Sequence, residues 1–309
     1  MDASDPLSDP LSDPSVGQPP AQQPDPPPDV ARLGRVRFVL IETSLSANIG
    51  AVARAMKTMG LSQLCLVRPQ QALDAEALAR AAGADDLLAH ARICTTLNDA
   101  LAGCRLVIGS SARARSLAWP EVDPTGCAEH LLADAAQAEV ALLLGRERSG
   151  LTNDELSYCH FLTRIPANPD YSSLNIAAAA QVFAYELRRV ALRGPAGAAQ
   201  VGEPAARAGE PAEPASAAAR TAAAPTPDAS LTSTPRDDLA TADEMAGFYA
   251  HLEQTMTQIG FADPAQSSTL HRRLRRLFNR ARPDRTELNI LRGFLSAAAG
   301  RKHPDRFRR

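Results

Sequence analysis

The stretch that decides the fold is residues 140–177, VALLLGRERSGLTNDELSYCHFLTRIPANPDYSSLNIA. It contains two apolar strands, and each of them ends in a polar loop, the first at 145–150 and the second at 165–175. Ligands of open α/β sheets bind beside the carboxyl ends of the strands. The pattern therefore predicts that these two loops form one binding site.

Strands and helices alternate in the chain that precedes and follows this stretch. Short apolar runs predict strands at 36–41, 64–67, 92–95 and 106–109. Amphipathic or apolar-faced segments predict helices at 49–59, 74–82, 97–102, 124–136 and 173–192. Because the two kinds of segment alternate, the predicted fold class is α/β, with a mostly parallel sheet and helices on both faces.

Composition divides the chain into four parts. Residues 1–34 carry a Ser-Asp-Pro repeat and many prolines, which predicts a disordered N-terminal tail. The α/β domain spans 35–192, and the Ala- and Pro-rich segment 193–240 predicts a flexible linker. In the last part, 241–309, apolar residues recur at helical spacing, which predicts a small helical domain.

Positive charge is concentrated in this last part, although the whole chain has a formal net charge of only −2. Residues 272–309 contain twelve Arg and one Lys against three acidic residues, a net charge of about +10. Charge at this density, beside a pair of helices, favours a polyanion partner over a merely solvated face.

Several kinds of site and location are not indicated. The five cysteines are odd in number and scattered, which predicts reduced thiols in a cytoplasmic protein and neither a disulfide framework nor a zinc site. No apolar run is long enough for a transmembrane helix, and the acidic N-terminus does not resemble a secretory signal. A P-loop, a GxGxxG fingerprint, a GxSxG elbow and an HExxH pair are also absent from the sequence. Taken with the lack of a long apolar run and of zinc-ligand spacing, this means that no membrane or metal partner is expected.

Three strand-end loops carry the residues suited to chemistry. The first carries Asn48 and is followed, one helical stretch later, by Arg54. The second contains the GRERSG segment at 145–150, and the third contains the SSLN segment at 172–175. Together these motifs resemble those of the SPOUT methyltransferases. The runs at 48–61 and 288–293 resemble the bacterial members that methylate ribose 32 in the anticodon loop of tRNA. The resemblance covers 36–192 and 243–300.

This resemblance implies a fold and an activity that the residue pattern alone does not give. The implied α/β domain contains a C-terminal trefoil knot and binds S-adenosyl-L-methionine. The implied reaction is 2′-O-methylation of cytidine or uridine 32 in tRNA, without a metal. The implied assembly is a homodimer whose active sites combine both subunits.

The resemblance also implies roles for individual residues. Candidate contacts to S-adenosyl-L-methionine are Ser110, Ser111, Ala112, Gly145, Ile165, Ser172, Ser173 and Leu174. Candidate catalytic residues are Asn48, Arg54, Glu147 and Ser173. Candidate RNA-binding residues are Arg113, Arg115, Arg272, Arg273 and Arg276.

Arg54 is the residue expected to be essential. Helical spacing alone places it on a solvated face that it shares with Lys57. Arginine is a poor general base, because its pKa exceeds about 12. We therefore expect Arg54 to hold a substrate phosphate and to stabilise charge on the 2′-oxygen, in a site that includes the other subunit.

Other residues of the site have structural alternatives. Thr152 and Glu155 fit a helix-capping box. Ser173 fits a helix N-cap and a cofactor contact at the same time. Gly145 fits either close approach to the adenosine or a plain strand-end turn. Glu147 fits either a role in shaping the site or a surface ion pair.

Two other functions stay open on the sequence alone. The chain is either an enzyme of this kind, a catalytically inactive RNA-binding or assembly factor with the same fold, or a generic nucleotide-binding enzyme. The intact residues Asn48, Arg54, Glu147, Ser173 and Asn175 count against an inactive factor. The missing phosphate loop counts against the generic enzyme. The C-terminal helices either bind tRNA or only strengthen the dimer.

Overall fold

A computed structural model describes residues 28–112, 119–193, 238–262 and 267–300. Its centre is a seven-stranded sheet in which all neighbouring strands are parallel. The strands are β1 (Val36–Ile41), β2 (Gln63–Val67), β3 (Arg92–Cys94), β4 (Cys104–Ser110), β5 (Glu121–Val122), β6 (Glu139–Leu144) and β7 (Phe161–Thr163). Their order across the sheet is β3-β2-β1-β6-β4-β7-β5, so β6 lies between β1 and β4.

Helices pack on both faces of this sheet. Those of the α/β domain are α1 (Pro28–Arg32), α2 (Ser46–Thr58), α3 (Ala75–Ala81), α4 (Asp85–Ala89), α5 (Leu97–Leu101), α6 (Pro124–Ala135), α7 (Asn153–Leu156) and α8 (Ile176–Arg193). A 3-10 turn, Leu33–Arg35, joins α1 to β1. Three further helices form a C-terminal unit: α9 (Ala242–Gln258), α10 (Ser268–Ala281) and α11 (Arg285–Ala298).

The central strands divide their side chains between two apolar cores. On β1, Phe38 and Leu40 pack with residues of α2, α6 and α8. Val39 and Ile41 point to the opposite face and pack with residues of α5 and α7. Since strand side chains alternate and both faces are covered, all six residues of β1 are buried.

The C-terminal unit has its own apolar core, built from α9 and α11, and it also contacts the α/β domain. Asn279 of α10 donates from Nδ2 to the carbonyl oxygen of Ser157 at 2.7 Å. Arg282, which follows α10, pairs with Asp134 of α6 at 2.7 Å. These contacts attach α10 to the same domain that carries the strand-end loops.

All five cysteines are free and buried. Burial raises the pKa of the Cys104 and Cys127 thiols to about 12. Such thiols are inert structural residues, in agreement with the prediction of reduced cysteines.

The predicted fold class is confirmed. The strand at 36–41 has the predicted bounds, and the other predicted strands lie within two residues of their expected positions. Between β1 and α8 the structure adds two short elements that the sequence pattern did not predict, α4 and β5. The trefoil knot stays a prediction of the resemblance.

The predicted tail and linker both extended too far toward the folded domain that follows each of them. Pro28–Arg32 forms α1, where Val30 packs against the core of the α/β domain, so disorder is wrong for 28–34. Leu239 and Ala240 are buried, and Ala240 donates its N–H to the Pro283 carbonyl at 3.0 Å, so 238–240 belong to the C-terminal unit. The rest of both segments, 1–27 and 194–237, lies outside the described residues.

Candidate active site

A cleft opens at the carboxyl ends of β4, β6 and β7. It encloses about 760 Å³ of empty space, part of which is open to solvent. The segments that line it are residues 110–112 at the end of β4, residues 144–150 at the end of β6, and six residues between 165 and 179. The two polar loops of the 140–177 stretch thus face the same space, as predicted.

The structure brings all eight candidate cofactor contacts together. Each of them lines the cleft: Ser110, Ser111, Ala112, Gly145, Ile165, Ser172, Ser173 and Leu174. Glu147 lines it as well, between Arg146 and Arg148. Three chain segments that are far apart in sequence therefore form one binding surface.

Gly145 is required by the shape of its own loop. A Cβ at this position would lie 2.3 Å from the Gly150 carbonyl carbon and 2.4 Å from the Leu151 nitrogen. The loop is this tight because Arg146 and Gly150 exchange main-chain hydrogen bonds across it, at 2.9 and 3.3 Å. The structure thus favours the strand-end turn as the reason for glycine.

Glu147 links this loop to the segment that follows β1. Its carboxylate accepts hydrogen bonds from Ser44, at 3.2 Å from N–H and 3.1 Å from Oγ, and from Asn48 Nδ2 at 3.0 Å. Asn48 Oδ1 in turn accepts from Asn175 Nδ2 at 3.0 Å. These bonds join three strand-end loops, and within the described ranges Glu147 forms no ion pair.

The hydrogen bonds to Glu147 favour its ionised form. Partial burial acts to raise the pKa of this carboxyl, but the pKa lies below its ordinary value because Asn48 and Ser44 donate to the charged oxygens. A carboxylate whose oxygens are both engaged is a weak proton acceptor. Glu147 is therefore better suited to positioning Asn48 than to accepting a proton.

Asn175, and not Ser173, caps the helix that follows the second loop. α8 begins at Ile176, and Asn175 Oδ1 accepts a hydrogen bond from the Ala177 N–H at 2.8 Å. The expected N-cap role of Ser173 is therefore wrong. Ser173 is exposed and lines the cleft. The capping box of Thr152 and Glu155, in contrast, is confirmed.

Arg54 lies outside the cleft of its own chain. It follows Asn48 by six residues on α2, which places it about 9 Å further along the helix and on a different face. It is exposed, and its guanidinium has no hydrogen-bond or ion-pair partner among the described residues. Arg54 is therefore accessible to a second molecule.

Arg146 is a member of the site that the sequence did not identify. Its Nε donates to Glu42 at 2.8 Å, and its terminal nitrogens donate to the two carboxylate oxygens of Glu155 at 3.0 and 2.9 Å. Arg146, with Arg68 as a second donor, lowers the pKa of Glu42 to about 2. The only signal in the sequence is the charge density of the GRERSG segment.

The arginines of α10 differ in their surroundings. Arg275 lies over the rings of Tyr249 and Tyr158, 4.7 and 5.5 Å from the ring centroids. Arg272 donates to the Ser268 carbonyl at 3.2 Å, within its own helix. Arg275 therefore holds α10 against the α/β domain.

A second group of α10 arginines is directed to the surface. Arg273 and Arg280 are exposed and Arg276 is half-buried, and in the described part of the chain none of the three has a hydrogen-bond or ion-pair partner. The other two candidate RNA-binding residues, Arg113 and Arg115, lie outside the described residues.

Two kinds of feature are missing from the described ranges. No three His, Cys, Asp or Glu side chains there are grouped so as to hold a metal ion. Nor is any helix in them both long enough and apolar enough to cross a membrane.

Two family models match the chain. The SpoU rRNA Methylase family matches residues 35–185, and the C-terminal domain of the tRNA methyltransferase TrmJ matches residues 243–307. The tRNA (cytidine/uridine-2′-O-)-methyltransferase TrmJ of Pectobacterium atrosepticum is 46% identical over 265 residues, which cover 86% of this chain and 97% of that protein. The chain belongs to the SpoU methylase family. The resemblance stated from the motifs is therefore confirmed.

Further relatives are similar along most of the chain. The TrmJ protein of Klebsiella pneumoniae is 48% identical, over 86% of this chain and 96% of its own length. The crystal structure of TrmJ from Z. mobilis superposes with a TM-score of 0.65 at 28% identity, over 84% of this chain and 97% of that one. A probable methylase family protein from Haemophilus influenzae is 39% identical with a TM-score of 0.50, over 87% and 97%.

Proposed function

We propose that this SpoU methylase transfers a methyl group from S-adenosyl-L-methionine to a ribose 2′-hydroxyl of tRNA. The observation that carries the proposal is the cleft, where all eight candidate cofactor contacts line one space at the carboxyl edge of a parallel sheet. Relatives that cover most of the chain are named tRNA (cytidine/uridine-2′-O-)-methyltransferases. An inactive RNA-binding factor is not favoured, because the hydrogen-bonded set of Asn48, Glu147 and Asn175 is intact.

The residues of the cleft fit the cofactor. Ile165 and Leu174 offer apolar surface for an adenine ring, and the hydroxyls of Ser172 and Ser173 offer hydrogen bonds to polar groups. S-adenosyl-L-methionine supplies a methyl group on a positively charged sulfur. The ionised carboxylate of Glu147, on the cleft wall, favours a positive charge nearby.

On the acceptor side, we assign Asn48 and Arg54 to the ribose. Glu147 orients the amide of Asn48 by accepting from its Nδ2. Arg54 would hold an RNA phosphate and stabilise charge on the 2′-oxygen. Because α2 directs Arg54 away from the cleft of its own chain, we propose that it serves the site of a second copy in a homodimer.

An Arg54→Lys variant tests the role of this side chain. Lysine keeps the charge but not the planar fork of donors, so we expect turnover to fall by more than about tenfold while tRNA affinity stays unchanged. Methylation rates and tRNA binding are measured on the same preparation. Near wild-type turnover would contradict the assignment and would leave a point charge as sufficient.

We further propose that the acceptor is cytidine or uridine 32 of the anticodon loop, in a cytoplasmic enzyme. In this proposal the outward arginines of α10, together with Arg113 and Arg115, hold the RNA backbone. Deletion of 241–309 separates RNA binding from dimer support. Loss of tRNA affinity in a chain that still forms dimers supports RNA binding, whereas loss of the dimer supports the other role.

The experiment that tests the whole proposal is a product map. The full chain is incubated with methyl-labelled S-adenosyl-L-methionine and unmodified tRNA, and the labelled nucleoside is located by nuclease digestion and chromatography. We expect 2′-O-methylcytidine or 2′-O-methyluridine from the anticodon loop. Label in a base, or the absence of any ribose methylation in that loop, would overturn the proposal.

A further inference from the structure

Arg146 stands where three elements meet. Its side chain donates to Glu42, at the end of β1, and to Glu155, in the first turn of α7. Its main chain pairs with Gly150 across the loop that lines the cleft. The Arg146 side chain is only 19% exposed, so solvent screens these ion pairs weakly.

An unusual backbone conformation places Glu42 at this junction. Its φ is +47°, in the left-handed region that non-glycine residues rarely adopt. Arg68, at the end of the adjacent strand β2, has the same φ and donates to Glu42 at 2.8 Å. Such conformations persist only where the surrounding structure determines them, and they cluster at ligand sites. Two neighbouring strands thus end in a fixed ion pair that presents a carboxylate to Arg146.

We propose that Arg146 is a positioning residue for the methyl donor, fastening the 145–150 loop to β1 through Glu42 and to α7 through Glu155 before the donor binds. This inference rests on the proposed function, because it takes S-adenosyl-L-methionine as the ligand of the cleft. The loop is held on its other side by the hydrogen bond that Asn48 donates to Glu147. Because the Arg146 ion pairs and the Asn48–Glu147 hydrogen bond already hold the loop, it loses little conformational freedom when the cofactor binds. The affinity for the cofactor is higher for that reason.

The test is an Arg146→Ala variant of the full chain, titrated with S-adenosyl-L-methionine by calorimetry. We expect the Kd for this cofactor to rise by about tenfold or more, since binding must then order the loop. The KM for the cofactor rises with it, while kcat at saturating cofactor and the KM for tRNA stay within about twofold of wild type. Amides of 145–151 exchange hydrogen faster in the free variant and regain protection when cofactor is added.

Two further variants make the test specific. Arg164→Ala removes an arginine that pairs with Glu121 at 3.1 Å and does not line the cleft, so its cofactor affinity stays at the wild-type value. Glu42→Gln raises the Kd by a few-fold on its own. The double variant with Arg146→Ala has the same Kd as Arg146→Ala alone, because both changes remove the Arg146–Glu42 ion pair.

The outcomes separate this inference from the proposed function. If the wild-type chain binds the cofactor and Arg146→Ala binds it equally well, the positioning role is overturned and the methyltransferase proposal stands. A fall in kcat together with an unchanged KM for the cofactor also overturns the role. If the wild-type chain does not bind the cofactor at all, it is the proposed function that fails.

Discussion

At the cleft, charged side chains are tied to partners on other elements, whereas on the outer side of α10 three arginines have none in the described part of the chain. Glu147 is held by Ser44 and Asn48, and Arg146 by Glu42 and Glu155. On α10 the outward group is Arg273, Arg276 and Arg280. Fixed charges suit a small ligand that must be placed within a fraction of an ångström. Unfixed cations suit a polyanion whose phosphates repeat along a backbone.

Breaking the fixed network should have the largest effect. Asn48→Ala removes the amide that is hydrogen-bonded to both Glu147 and Asn175, so the loops that carry these two residues are no longer held together through residue 48. We expect kcat/KM for methylation to fall by about 100-fold, while tRNA affinity changes little. Rates are measured by incorporation of labelled methyl groups into tRNA.

An exposed asparagine on α5 provides the matched control. Asn98→Ala makes the same chemical change away from the cleft and should keep wild-type rates. If Asn48→Ala also kept them, the network would have no part in the reaction.

The tied charges should also make the α/β domain sensitive to acid. The pKa of Glu42 is lowered from 4.5 to about 2, so its stabilising effect is complete above pH 4.5 and is lost as the pH falls toward 2. Because Glu42 is 25% exposed and its partner Arg68 is 48% exposed, solvent reduces this effect. We expect the free energy of unfolding to drop over this interval by about 1–2 kcal/mol more in wild type than in Glu42→Gln. Urea denaturation at a series of pH values measures the difference, and parallel curves for the two proteins would refute it.

The outward arginines of α10 should act through phosphate contacts and not through the cleft. In the triple variant Arg273→Ala, Arg276→Ala, Arg280→Ala, the logarithmic salt dependence of tRNA binding should become shallower by up to about three, one for each contact removed. Affinity for S-adenosyl-L-methionine should be unchanged. Filter binding over a range of KCl concentrations gives the slope. An unaltered slope would mean that these three arginines do not contact the RNA phosphates.

The smallest effect distinguishes two arginines of the same helix. Arg275→Ala removes a cation packed over Tyr249 and Tyr158, which should lower the stability of the chain by about 1 kcal/mol. Arg273→Ala, at an exposed position, should change it by less than about 0.5 kcal/mol. Thermal unfolding of the two variants checks this order, and equal Tm values would mean that the ring contacts do not hold α10 in place.

The sequence predicted the parts of the site that depend on local pattern. Apolar runs located the strand ends, and the motifs located the cofactor candidates that line the cleft. The N-cap of α8 was wrong because Ser172, Ser173 and Asn175 are all good capping residues, and local propensity does not choose among them. The structure decides for Asn175, whose amide also reaches Asn48.

The local sequence pattern did not predict the role of Arg146, because its partner is distant in the sequence. Its partner Glu42 is 104 residues earlier, and the two meet only because β1 and β6 are neighbours in the sheet. The prediction of disorder for 28–34 was wrong for a similar reason, namely tertiary contacts that the local pattern does not show. Proline content predicts an open chain, but tertiary contacts of Val30 and Leu33 with the core outweigh that local preference.

The burial of all five cysteines offers a practical route to watching the two regions separately. Native thiols that are buried, some with a pKa raised to about 12, react slowly with maleimide dyes at neutral pH. A single new cysteine, Ser149→Cys in the cleft loop or Thr269→Cys at the start of α10, would therefore carry a fluorophore without removal of the native ones. The first label would report cofactor binding and the second the arrival of RNA, each in an otherwise unmodified chain.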